Sequence, residues 1–240
     1  MKIAEAAETS SRLAFGPEAI ASIIDHTLLK PDSTRTQIEQ LCREAIEHHF
    51  ACAFVNPAWT PLAVSIARGT SIKIGAPVGF PLGANLTATK RAEAEDLVRV
   101  GVHELDMVLN IGALKSGDRK LVQTDIAAVA EIAHTAGASL KVILETCLLS
   151  LEEKIVACEL SVLAGADYVK TSTGFSTSGA TIEDVALMRG VVGDRAGVKA
   201  SGGIRSANDA IAMVEAGASR LGTSSGVQIL RELRELNAAR

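Results

Sequence analysis

Eight times along 240 residues, a short run of branched aliphatic residues gives way to a longer stretch with apolar residues at helical spacing. The strand-like runs fall at 23–29, 51–56, 72–80, 104–109, 140–145, 168–174, 198–203 and 220–225. Thr34, followed three residues on by Gln37, has the form of a capping box, and Ile38, Leu41, Ala45 and Ile46 then keep one helical face. Pro57 opens the next helix. Further helices are expected over 87–100, within 115–136 after a turn, and over 151–164, 181–190 and 207–216, before a last amphipathic segment. Successive parallel strands each need a crossover, and eight such units close a sheet on itself. An internal echo supports this. Ala164-Gly165-Ala166, then Val169-Lys170-Thr171-Ser172-Thr173-Gly174, repeats as Ala216-Gly217-Ala218, then Leu221-Gly222-Thr223-Ser224-Ser225-Gly226. The expected fold class is therefore α/β, a single-domain (β/α)8 barrel over residues 16–240, with residues 1–15 as an N-terminal extension. An open doubly wound sheet is the alternative, but it explains eight units less well and GxGxxG is absent after the first strand.

The composition limits the function classes. Alanine, valine, isoleucine and leucine dominate and aromatics are scarce, as suits helices packed around a buried parallel sheet. No apolar run is long enough for a membrane span, and the first fifteen residues lack the apolar core of a secretory signal. The net charge is −4 with no basic block, which disfavours a nucleic-acid partner. Cys42, Cys52, Cys147 and Cys158 form no CxxC pair, and the five histidines add no ligand-spaced set. His48-His49 reads as a helix end or surface. The expectation is a reduced cytoplasmic protein without a metal site.

Chemistry concentrates on the strands. In the run from Tyr168, alternation sends Val169 toward the helices and Lys170 into whatever the strand encloses. A buried lysine needs a partner or a purpose. Either it pairs with a carboxylate to tie strands together, or it is a desolvated nucleophile. Asp106, Lys141 and Lys199 occupy the middles of three other strands, and Lys199 lies on the strand after that of Lys170. Two ammonium ions ~5 Å apart repel by roughly 3 kcal/mol at an effective dielectric of about 20. That is worth about 2 pKa units, and burial pushes the same way. Such a pair can leave one amine neutral and reactive, with Asp106 moving protons through water. A purely structural Lys–Asp–Lys network is the alternative. Ser201-Gly202-Gly203-Ile204-Arg205 and Gly222-Thr223-Ser224-Ser225 follow the last two strands, where barrels of this kind commonly hold phosphate. Ser224 and Ser225 also precede the last helix, whose N-terminus favours an anion.

These residues resemble the deoxyribose-phosphate aldolases, class I enzymes on a (β/α)8 barrel. The resemblance runs from about Ile23 to Gly226 and rests on five segments. These are Ile24-Asp25-His26-Thr27-Leu28-Leu29, Glu104-Leu105-Asp106-Met107-Val108, Val142-Ile143-Leu144-Glu145-Thr146, Val169-Lys170-Thr171-Ser172-Thr173-Gly174-Phe175 and Val198-Lys199-Ala200-Ser201-Gly202-Gly203-Ile204-Arg205. It implies reversible cleavage of 2-deoxy-D-ribose 5-phosphate to D-glyceraldehyde 3-phosphate and acetaldehyde, without metal or organic cofactor. Lys170 then matches the Schiff-base lysine, Lys199 its pKa-lowering neighbour and Asp106 the proton-relay acid. Asp25 and Lys141 match supporting residues beneath the site. Gly174, Gly202, Gly203, Ser224 and Ser225 match phosphate contacts, with Thr173 and Gly222 in the same substrate-binding set. The partners implied are sugar phosphate and aldehyde substrates; the oligomeric state stays open, a homodimer being one expectation.

Two positions depart from the family pattern. Some members carry a cysteine just before the Val-Asn-Pro stretch; here that residue is Phe54, with Cys52 one step further in, so no catalytic thiol is expected. Some longer relatives end in a tyrosine that reaches the site, whereas the one tyrosine here is Tyr168, which implies slower enamine protonation. A transaldolase-like or keto-acid aldolase is disfavoured by the paired lysines. A non-catalytic barrel sensing a sugar phosphate is disfavoured by the presence of Lys170.

Overall fold

In the computed structural model, which describes residues 16–238, eight parallel strands form one closed barrel in sequence order. They are β1 (Ile24–Leu28), β2 (Cys52–Val55), β3 (Lys73–Val78), β4 (Glu104–Val108), β5 (Ser139–Ile143), β6 (Tyr168–Lys170), β7 (Gly197–Ser201) and β8 (Arg220–Thr223). Helix α1 (Pro17–Ala21) precedes β1, and the crossovers carry α2 (Arg35–Glu47), α3 (Thr60–Ala67) and α4 (Thr87–Val100). These are followed by α5 (Ile111–Lys115), α6 (Arg119–Thr135), α7 (Leu151–Leu163), α8 (Ile182–Val192), α9 (Ala207–Glu215) and α10 (Gly226–Ala238). The closed sheet excludes the doubly wound alternative. The expected N-terminal extension, 1–15, lies outside the described residues.

Local signals explain the helix bounds. The Thr34 N–H donates to Gln37 Oε1 at 2.8 Å, as the capping box requires. Ser150 and Glu153 start α7 with the same reciprocal pair, and Ser206 with Asp209 starts α9. Gly101 takes φ +102 past the end of α4, a left-handed cap that suits glycine. Pro57 opens a 3-10 turn, Pro57–Trp59, and α3 follows it. The structure adds α5 where only a turn was expected. It also ends β6 at Lys170, so 171–174 leave the ladder and become the wall of the barrel mouth. His48 caps α2 and His49 is exposed, as expected of a helix end.

Alternation sorts the strands into two environments. Leu105, Met107, Val169, Val198 and Ala200 face outward into the main apolar layer beneath the helices. The barrel interior differs from the aliphatic filling usual for this fold. Asp25, Glu104, Asp106, Lys141, Lys170, Lys199 and Arg220 are all buried there. Leu29, Cys52 and Phe54 make a small apolar cluster beside them, with Phe80 against it. The large ring of Phe54 fits because β3 presents Gly75 to it; a Cβ there would come within 2.4 Å of the ring. Among the described residues no helix is long and apolar enough to cross a membrane.

Candidate active site

The register of β6 and β7 sets Lys170 directly beside Lys199. Lys170 is only 3% exposed, and its Nζ donates to Asp106 Oδ2 at 2.8 Å. Lys199 Nζ donates to that same oxygen at 2.7 Å. From β5, Lys141 reaches the other oxygen, Asp106 Oδ1, at 3.0 Å, and Glu104 Oε2 at 2.6 Å. One carboxylate on β4 thus gathers amines from three successive strands. Deeper in the barrel, Arg220 donates to Asp25 Oδ1 at 2.8 Å and to Glu104 Oε1 at 3.0 Å. Asp25 Oδ2 faces Lys199 Nζ as a close ion pair. Phe54 forms the apolar side of this chamber, with its ring centroid 4.5 Å from Lys199 Nζ and 5.2 Å from Lys170 Nζ. Of the sequence-predicted residues, Lys170, Lys199, Asp106, Asp25 and Lys141 all meet here.

The electrostatics correct one expectation. Burial is the leading reason that Lys170 loses affinity for its proton; Asp106 opposes it, and Lys199 adds to it as a smaller contribution. The net result brings Lys170 down to about 8. Repulsion between the amines, expected to lead, ranks behind both burial and Asp106, because that carboxylate sits between the two amines. For Asp106, burial pushes upward, but Lys141, Lys170 and Lys199 outweigh it and hold the carboxyl well below its usual range. Burial likewise raises Glu104, yet Lys141 and Arg220 bring it to about 2. Burial works against charge on Lys141, but Asp106 and Glu104 hold it above the ordinary lysine range. Burial, followed by nearby Asp25 and Glu104, pushes the Cys52 thiol far upward, so it is no nucleophile.

A cavity of about 390 Å³ opens above Lys170 at the C-terminal ends of the strands. Its walls include Thr173, Gly174, Gly202, Gly203, Gly222 and Ser224, together with Lys170 itself. The structure thus brings both glycine-rich loops to the lysine. Gly202 and Gly203 take φ +86 and +85, so these turns are left-handed, with successive backbone amides at the cavity wall. Three sequence-predicted residues have different duties. Ser225 stands outside this lining, its N–H donated to Thr223 Oγ1 at 2.9 Å, so its place is at the start of α10. Gly222 also makes room for the Lys199 side chain, whose Cε would lie 3.0 Å from an added Cβ. Thr173 commits its hydroxyl to Glu145, donating to Oε2 while accepting the Phe175 N–H at 3.0 Å.

Sequence reasoning missed Glu104, Arg220 and Glu145, along with Lys30 and Arg205 at the cavity rim. Glu104 and Asp106 are two apart on one strand, and Arg220 and Gly222 on another, so alternation alone could have found the first two. Glu145 follows β5 in the left-handed region at φ +56, which no pattern in the sequence signals. Ligand atoms of Asp25, Cys52 and Glu104 lie within 4.8 Å of one another. The carboxylate oxygens of that group already meet Lys199, Arg220 and Lys141, so the cations they face are the protein's own.

Residues 19–233 match the model of a family described as DeoC/LacD family aldolase. The deoxyribose-phosphate aldolase of Brevibacillus brevis is 59% identical over 207 residues, covering 86% of this chain and 93% of the relative. That of a Geobacillus species is 56% identical over 211 residues, covering 88% and 94% respectively. A solved deoxyribose phosphate aldolase from Aeropyrum pernix, described as a unique tetramer, superposes with a TM-score of 0.88 at 36% identity. The match covers 95% of this chain and 97% of that one.

Proposed function

Because the chain belongs to the DeoC/LacD aldolase family, we propose that it reversibly cleaves 2-deoxy-D-ribose 5-phosphate to D-glyceraldehyde 3-phosphate and acetaldehyde. It is a class I aldolase, in which a lysine Schiff base serves as the electron sink. The observation that carries the assignment of residues is the position of Lys170. It is a buried amine whose proton affinity is lowered to about 8, at the floor of a cavity rimmed by two glycine-rich loops.

On this reading the unprotonated Nζ of Lys170 attacks C1 of the open-chain sugar. Loss of water gives an iminium. Removal of the C3 hydroxyl proton then breaks the C2–C3 bond, and its electron pair moves to C2 to form the enamine as glyceraldehyde 3-phosphate departs. Protonation at C2 and hydrolysis of the imine release acetaldehyde and restore the amine. Asp106 moves these protons through water while Lys199 and Lys141 hold its carboxylate in place. The backbone amides at Gly174, Gly202 and Gly203, with Ser224, bind the phosphate, and Lys30 and Arg205 add positive charge at the rim.

Four free thiols, three of them buried, suit a reducing cytoplasm. The oligomeric state is open, a homodimer being one assembly that light scattering of the purified chain would test. Two measurements test the whole reading: turnover of deoxyribose 5-phosphate against the unphosphorylated sugar, and borohydride reduction with acetaldehyde followed by peptide mass mapping. Faster turnover of the phosphorylated sugar and a two-carbon adduct on Lys170 are expected. A sensor that only binds sugar phosphate would show neither.

A further inference from the structure

The buried ion network extends well below the reacting lysine, and its charges balance. Three carboxylates, Asp25, Glu104 and Asp106, face three cations, Lys141, Lys199 and Arg220, with Lys170 above them. The sealed interior is therefore neutral when Lys170 is unprotonated and carries one net positive charge when it is protonated. We propose that Glu104 and Arg220 are positioning residues that set the protonation state of Lys170 by fixing this count. The inference rests on Lys170 being the Schiff-base lysine.

The other groups packed around Lys170 leave the balance intact. Phe54 from β2 is uncharged, and Cys52 beneath it is held as a neutral thiol by burial. Tyr168, on the strand of Lys170, lies against Arg220, with its ring centroid 5.6 Å from the guanidinium carbon. Lys73 on β3 reaches Glu104 Oε1 at 3.3 Å but is 54% exposed, so water screens its charge. Glu145, above the barrel, turns its carboxylate to the Thr173 hydroxyl and amide. Lys30 and Arg205 line the cavity from exposed positions.

Glu104 and Arg220 touch neither Lys170 nor the cavity lining, so any influence on the amine runs through the field. Glu104 lies two residues below Asp106 on β4, roughly 7 Å at ~3.3 Å per residue, and Asp106 is 2.8 Å from the amine, so Glu104 and its guanidinium partner lie within roughly 10 Å of it. A unit charge at that range shifts an amine by about one pKa unit at an effective dielectric near 20. The direction depends on the sign of the charge removed. Loss of an anion makes protonated Lys170 less favourable; loss of a cation makes it more so.

The test measures the pH midpoint of cyanoborohydride-trapped imine formation with acetaldehyde, read as adduct mass on Lys170. Glu104→Gln should lower the midpoint by about one unit, and Arg220→Met should raise it by a similar amount. The double variant removes one charge of each sign and should return to the wild-type midpoint. It also stays informative if a single variant folds poorly, because it strands no unpaired charge. Arg220→Lys keeps the charge and should leave the midpoint in place. Single variants that fold but leave the midpoint unmoved, or that shift it in the same direction, would overturn the inference, as would a double variant that keeps an offset. Failure of the aldolase reading looks different: wild-type protein would then gain no adduct on Lys170 at any pH.

Discussion

Replacing Lys199 with leucine removes a cation that shares Asp106 Oδ2 with Lys170, and its effect can be worked from distances. Lys170 and Lys199 donate to one carboxylate oxygen at 2.8 and 2.7 Å, so their nitrogens are no further apart than those two bonds laid end to end. At ~5 Å and an effective dielectric of about 20, their repulsion is roughly 3 kcal/mol, or about two pKa units. Burial and the smaller push of Lys141 remain, opposed by Asp106. The midpoint for imine formation should therefore climb from about 8 toward the ordinary lysine range, and trapping at pH 7 should slow by about 100-fold. The assay is initial trapping rate against pH, with circular dichroism to confirm that the barrel is intact. Lys199→Arg keeps the charge and should hold the midpoint near that of the wild type. A folded Lys199→Leu protein with an unchanged pH profile would refute the electrostatic account of how Lys170 becomes nucleophilic.

The same shift makes a stability prediction. Lys170 binds its proton less tightly folded than unfolded, so its penalty is fully present below about pH 8 and lifts as pH rises toward the unfolded value. Lys170→Met should abolish turnover yet melt several degrees higher at pH 7, on a gain of order 3 kcal/mol. A lower melting temperature would contradict this. Crotonaldehyde treatment should leave Cys52 without an adduct, because the thiol is buried and its ionisation suppressed; mass spectrometry showing addition there would contradict it. Gly203→Ala places a side chain at φ +85, a strain of roughly 1–2 kcal/mol. It should raise KM for the phosphorylated sugar by about tenfold while leaving turnover of the unphosphorylated sugar unchanged, as steady-state kinetics on both would show.

The barrel was legible because strand and helix periods alternate cleanly along the chain. The inward direction of Lys170 followed from a single valine beside it. Its pairing with Lys199 followed from strand order and was met by the observed register. What escaped was partnership. Glu104 and Arg220 each stand at the first position of a strand, where a charged residue ordinarily reads as the solvated end of a turn. Only closure of the sheet turns both inward. Asp106 was found, but not its place between the two amines, since one oxygen shared by two strands is a matter of three-dimensional convergence. For Glu145 the obstacle was its backbone conformation, and for Ser225 it was the one-residue difference between lining a cavity and starting a helix.

Closure also bears on how the chain reaches its native state. Asp25 and Arg220 are 195 residues apart yet joined side chain to side chain, so the first and last strands are stitched by charge as well as by the sheet. During synthesis, all three interior acids are made before Lys199 and Arg220, the two cations carried by the final strands. A nascent chain that stops short of β8 leaves Asp25 Oδ1 and Glu104 Oε1 without the guanidinium they share, while Lys199 and Lys141 already face their other oxygens. The last cation of the ion network thus arrives only with the last eighth of the barrel, and it ties the final strand to the first and fourth.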